Sequence, residues 1–136
     1  MARYSTADFS PDQLAVLAVA ESFLAGIAAR SKPHMHAHIL PRGGAALLRD
    51  GQPLLCTLAE SVERLPSEAD LPQAIAEVIS AQPTVLVDRD IAMAWTPFEF
   101  LIDGAVHHVG TNIMSFVKQE GKWVISGVAD NTHKPE

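Results

Sequence analysis

The residues best suited to chemistry lie in two short stretches. In the second half, Glu99, His108 and Asn112 sit in long apolar, β-branched runs where polar side chains are few. A carboxylate beside an imidazole orients the ring and raises its basicity, as general acid–base catalysis needs. An asparagine amide nearby can hold a carbonyl or enol oxygen. In the first half, His34, His36 and His38 alternate with other residues, and Pro41-Arg42-Gly43-Gly44 follows. On a helix His34 and His38 share one face. That spacing suits zinc only with a third ligand, and none follows, so no metal is expected. His38 or His34 reads instead as pocket-lining, and Arg42 either as a surface arginine or as a grip for an anionic or carbonyl oxygen. Asp130 closes the last apolar run.

Other chemistries lack their residues. There is no P-loop and no G-x-G-x-x-G, so nucleotide and flavin cofactors have no support and none is expected. The one cysteine, Cys56, has no His or Lys beside it and reads as inert. With a net charge of -6 and ten scattered Lys and Arg, the chain lacks the basic stripe of a nucleic-acid binder. The apolar run Leu14–Ala20 is too short to span a membrane, and acidic Asp8 and Asp12 interrupt the start, unlike a signal peptide. The expected compartment is the cytoplasm.

The elements that must position these residues are largely marked. Ser10-Pro11-Asp12-Gln13 is a capping box with proline at the first helical position. Leu14, Leu17, Ala20, Leu24 and Ile27 then recur at helical spacing to about Arg30. A short second helix is predicted from Pro33 to about Leu40, stopped by Pro41 and Gly43-Gly44. Asp50-Gly51 between apolar runs predicts a hairpin, and Thr57-Leu58-Ala59-Glu60 opens another capped helix. Gln73–Ser80 fits helix or strand. From Thr84 the β signal dominates: Thr84–Val87, Ile91–Ile102, Val106–Val117 and Trp123–Val128, the last three joined by Asp103-Gly104 and Glu120-Gly121. One domain spanning 1–136 accommodates all of this.

Two-residue turns set a register. Glu99 then faces His108, within about 5 Å at Cβ, Trp95 faces Asn112, Phe116 faces Ile125, and Met114 faces Gly127. One face carries Met93, Trp95, Glu99, His108, Asn112, Met114 and Phe116. The helices are assigned to it, so that Trp95, Met93, Met114, Phe116 and Phe23 wall a pocket. In this register Asp130 points to the outer face, and a β-bulge would turn it inward. The opposite face is also rich in apolar residues, which predicts a second copy against it, as a homodimer.

The stretch Asp90–Phe100 with Asp103-Gly104, His108-Val109-Gly110 and Gly121-Lys122-Trp123-Val124-Ile125 resembles the SnoaL-like group of the nuclear-transport-factor-2-like (NTF2-like) superfamily. That group includes polyketide cyclases, ketosteroid isomerase, limonene epoxide hydrolase and scytalone dehydratase. The resemblance covers nearly the whole chain. It implies an α+β cone, with N-terminal helices on a curved antiparallel sheet enclosing a pocket, usually in a homodimer. Ketosteroid isomerase pairs a tyrosine with a protonated aspartate, whereas the only tyrosine here is Tyr4, so that pair is not carried over. The functional expectation is a cofactor-free isomerase, cyclase or dehydratase (a lyase) acting on a small apolar oxygenated metabolite, as in secondary-metabolite biosynthesis. His108 would be its acid or base, Glu99 its partner and Asn112 its oxygen holder. The alternative is a binding or dimerisation protein with the same pocket and no chemistry.

Overall fold

The computed structural model describes residues 3–136, and Met1 and Ala2 lie outside them. Helix α1 (Pro11–Ala28) begins at the Ser10 cap. The Ser10 hydroxyl accepts from the Gln13 backbone N–H while the Gln13 side chain accepts from the Ser10 N–H. Its length and apolarity would suffice to cross a membrane, yet Val16, Leu17, Ala20, Phe23, Leu24 and Ile27 are buried in its packing against the sheet. The chain then turns at Arg30, in the left-handed region at φ 51°. The Arg30 guanidinium donates to the carbonyls of Pro66, Leu71 and Gln73 at 2.6–2.8 Å. These three bonds fix the loop that follows the third helix.

Helix α2 (Lys32–His36) is shorter than the sequence suggests. The chain becomes extended at Ile39, and β1 (Ile39–Arg49) runs straight through Pro41 and Gly43-Gly44, where a stop was expected. The pairing explains why. β1 runs parallel to β7 (Lys122–Asn131), and the ladder is irregular between Ile39 and Gly44. The missing N–H of Pro41 therefore costs no ladder bond. Gly43 is needed there, because a Cβ would collide with the Ser126 carbonyl and the Leu58 side chain.

The Asp50-Gly51 turn, with φ of 51° and 76°, leads into β2 (Gln52–Thr57) and then the Thr57-capped α3 (Leu58–Glu63). The ambiguous stretch forms a strand, β3 (Ile75–Ile79), and β4 (Thr84–Asp88) follows. Both are antiparallel to the long β5 (Ile91–Ile102), β4 along its first half and β3 along its second. With β6 (Ala105–Gln119) the sheet order is β2-β1-β7-β6-β5-β3. The helices cover one side of this open, curved sheet, so the fold is α+β as expected, but the parallel β1–β7 pair makes the sheet mixed where a wholly antiparallel one was expected.

Two bulges correct the expected register. Both turns form as two-residue loops, with Ile102 opposite Ala105 and Gln119 opposite Lys122. On β6, however, Leu101 pairs Val106 and Phe100 pairs His108, so His107 is an extra residue. On β7, Phe116 pairs Ile125 and Ser115 pairs Gly127, so Ser126 is extra. A one-residue slip sends every later side chain to the opposite face. Ala92, Ala94, Thr96 and Phe98 thus turn inward and are buried, while Ile91 and Trp95 are exposed at 56% and 45%. Met93 and Glu99 share that outer side by alternation. At the far end of β7, Val128 and Asp130 turn inward, opposite Met114 and Asn112.

Candidate active site

The inward end of the sheet meets α1, α2 and α3 around a cavity of 270 Å³. Its walls are mostly apolar: Phe23, Leu24 and Ile27 from α1, Met35 from α2, and Leu47, Phe100, Met114 and Val128 from the sheet. Against this background stand Glu77, Asn112, Asp130 and Arg49, with Ser61 and Arg64 from the α3 side.

Each polar group is placed by its strand. Ile75 and Ile79 point into the core, so alternation aims Glu77, between them, the same way. Its backbone partner is Phe100. Asn112, 3% exposed, lies on β6, and its amide donates to Glu77 Oε2 at 2.7 Å. Asp130 faces Asn112 because of the Ser126 bulge. At the end of β1, Arg49 Nη1 donates to Asp130 Oδ1 at 2.7 Å, and Nη2 lies 3.4 Å from Oδ2. The Asp130 side chain is 13% exposed and that of Arg49 is 42% exposed. The pair thus closes the polar end of the cavity with its cation toward water.

Burial sets the electrostatics of Glu77. Removing its carboxylate from water pushes its pKa from 4.5 up to about 7, and the negative Asp130 adds to the rise. The Asn112 hydrogen bond and the Arg49 charge oppose it. Near neutral pH this carboxyl both gives and takes a proton readily, which is what an acid–base catalyst requires. Replacing Asn112 by leucine removes a bond that favours the charged form. The Glu77 midpoint should therefore move upward, by roughly one pH unit, which a carboxyl titration followed by NMR would read.

The residues singled out from sequence divide sharply. Asn112, Met114 and Phe23 line the cavity. Phe116 is buried at 1% exposure in the core, outside the cavity wall. His108 stacks on Phe100, with ring centroids 4.8 Å apart and planes 9° apart, and its Nδ1 lies 3.0 Å from that of His107. Burial, and then the neighbouring His107 charge, hold its pKa below the usual histidine value. Phe100, not His108, is the cavity wall. Glu99 faces Val109 rather than His108 and is ion-paired with Arg3. The expected Glu99–His108 pair is therefore not assembled, because the His107 bulge separates the two. Trp95 and Met93 leave the pocket wall through the same slip. Arg42 is exposed on the irregular part of β1.

His38 and His34 hold α2 against α1. Their Nε2 atoms lie 2.9 and 3.1 Å from the Ser22 hydroxyl, and His34 Nε2 also donates to the Ser22 carbonyl. His36 instead meets Glu63 on α3 at 2.8 Å. Among the described residues, no three His, Cys, Asp or Glu side chains are grouped as metal ligands.

Sequence reasoning missed Glu77 and Arg49. Glu77 had a usable signal: Ile75-x-Glu77-x-Ile79 puts an acid on the apolar side of a strand pattern. Arg49 had none, since an arginine before an Asp-Gly turn reads as a solvated strand end.

Neither a protein-family model nor any curated protein matches the chain. Solved structures do resemble it in fold. An NTF2-like protein of unknown function from Shewanella baltica aligns with a TM-score of 0.68 at 13% identity, over 93% of this chain and 98% of that one. A Mycobacterium tuberculosis protein of unknown function gives a TM-score of 0.74 at 14% identity, over 94% and 79%. A Shewanella frigidimarina protein provisionally named a ketosteroid isomerase gives 0.61 at 15% identity, over 85% and 94%.

Proposed function

We propose, from an NTF2-like fold that encloses this cavity, that the protein is a cofactor-free enzyme moving a proton on a small apolar oxygenated metabolite. Isomerisation is the reaction type that needs least from the site, and cyclisation or dehydration can start from the same proton removal. The observation that carries this reading is the placement of the Glu77 carboxyl, bonded to the Asn112 amide in a largely apolar cavity, where burial pushes its pKa up to about 7. Glu77 would take the proton from a carbon next to a carbonyl and return it elsewhere on the same skeleton. Asn112 would hold the carboxylate in place, and Arg49, fixed by Asp130, would stabilise charge developing on the carbonyl oxygen. The related fold that bears the isomerase name supports this by analogy only. The lone unpaired Cys56 suits the reducing cytosol.

The test needs no natural substrate. Deuterium exchange into 2-tetralone, followed by NMR in deuterated buffer, should be accelerated by the protein. The rate should rise with pH as Glu77 ionises, with a midpoint near 7. A flat profile at the level of buffer alone would leave a binding protein.

The outer sheet face bears on assembly. Leu48, Leu86, Ile91, Trp95 and Ile113 are 39–60% exposed there, on strands β1, β4, β5 and β6. We propose that a second copy covers this face in a homodimer, one symmetric patch against itself. Sedimentation at micromolar concentration should give twice the chain mass, and Trp95→Asp should give the monomer mass. A wild-type monomer would remove the proposal.

A further inference from the structure

Four ionisable side chains line the cavity: Arg49, Arg64, Glu77 and Asp130. Three have partners. Asp130 and Arg49 neutralise each other, and Glu77 is bonded to Asn112. Arg64 is different. It caps the C-terminus of α3, and no ion pair among the described residues includes it. The adjacent acid, Glu63, is already engaged by Lys32 and His36, and Glu60 is held by the Thr57 backbone at the other end of the helix. In a chain of net charge -6, Arg64 is thus an exposed arginine on the wall of a largely apolar cavity, with its guanidinium not committed to a carboxylate of the chain.

Resting on the proton-transfer reading above, we infer that the ligand carries a carboxylate, which Arg64 binds at the cavity mouth while the apolar oxygenated body extends inward toward Glu77. A guanidinium fork matches a carboxylate by two parallel hydrogen bonds. The apolar walls formed by Leu24, Ile27, Leu47 and Met114 would take the hydrocarbon part. One charged contact at the mouth also fixes which end of the ligand enters, and so which carbon reaches the Glu77 carboxyl. Arg64 thereby becomes the specificity-determining residue of the site, separate from the residues that move the proton.

Two probes of similar size decide the matter: 2-naphthoate, with a carboxylate, and 2-acetonaphthone, a neutral ketone. Calorimetric titration of the wild-type protein at pH 7 should show 2-naphthoate binding about tenfold tighter. In Arg64→Gln the ratio should fall to about twofold, whereas Arg64→Lys, which keeps the charge, should retain most of the preference. Measurable 2-acetonaphthone binding by Arg64→Gln shows that the cavity is intact. Equal affinities in the wild type, or an unchanged ratio in Arg64→Gln, overturn the inference. Glu77→Gln separates the two readings: it should lose exchange into 2-tetralone and show a preference for 2-naphthoate of at least about tenfold, since a like charge is removed from the same cavity, and loss of that preference counts against Arg64 as its source.

Discussion

Glu77→Gln should slow deuterium exchange into 2-tetralone by a factor of about 10²–10⁴ and, at the same time, make the folded protein more stable above neutral pH. The two effects share one cause. On folding, the Glu77 carboxyl moves from a pKa of 4.5 to about 7, so between those values the native chain binds more protons than the unfolded one. Stability therefore falls as pH rises through that window, and the loss is complete above it. A shift of this size corresponds to a ceiling of roughly 3 kcal/mol, lowered by whatever water reaches the partly buried side chain. Glutamine has the same shape, and its carbonyl can still accept from the Asn112 amide, but it cannot ionise. Thermal melts of the two proteins should nearly coincide at about pH 4, below the unfolded pKa, and separate by about pH 8, with the variant melting higher. A variant that melts lower at pH 8 and still exchanges at the wild-type rate would contradict both halves of the argument.

Gly110→Ala should be the most damaging single-methyl change in the sheet, destabilising by about 3 kcal/mol and lowering the melting temperature by roughly 10 °C. Gly110 faces Phe98 across β5 and β6, and the edge of that ring occupies the space a side chain would need. A Cβ would lie 2.8–2.9 Å from two Phe98 ring carbons and would collide with the Asn131 carbonyl. Neither can yield cheaply. Phe98 is 1% exposed. The Asn131 segment is tied down on both sides: Val109 and His133 exchange two backbone hydrogen bonds at 2.9–3.0 Å, and the Asn131 side chain accepts from the Thr111 N–H at 2.9 Å. Asp130 is the preceding residue, so any relief by moving this segment also disturbs the Asp130–Arg49 pair. A variant that melts with the wild type would contradict the close packing of β7 over Gly110.

Much of the fold was legible because its signals are local. Ser10 and Gln13, Thr57 and Glu60, and the three turns at Asp50-Gly51, Asp103-Gly104 and Glu120-Gly121 each form with the residues that announce them. The site was legible only in part because its geometry depends on what those signals omit. A bulge adds one residue without changing composition, and nothing about His107 or Ser126 sets them apart as extra residues. Yet the first moves Trp95 and Glu99 out of the interior, and the second brings Asp130 in. Asn112 kept its place because the β5 slip turned over that strand's side chains and left β6 unchanged. Pro41 and Gly43-Gly44 misled for a related reason: they read as a stop, while the irregular β1–β7 ladder accommodates the proline and requires Gly43. Glu77 alternates with Ile75 and Ile79, a signal that places it inward only if the segment is a strand, and so short a segment does not choose between helix and strand until β3 is paired with β5.

The most direct test is a carboxyl-carbon NMR titration of protein labelled at the glutamate side chains. One resonance should titrate near pH 7 and be missing from the Glu77→Gln spectrum. If every glutamate titrates below about pH 5, in the ordinary carboxylate range, Glu77 is not the proton-transfer group and the account of the cavity is contradicted.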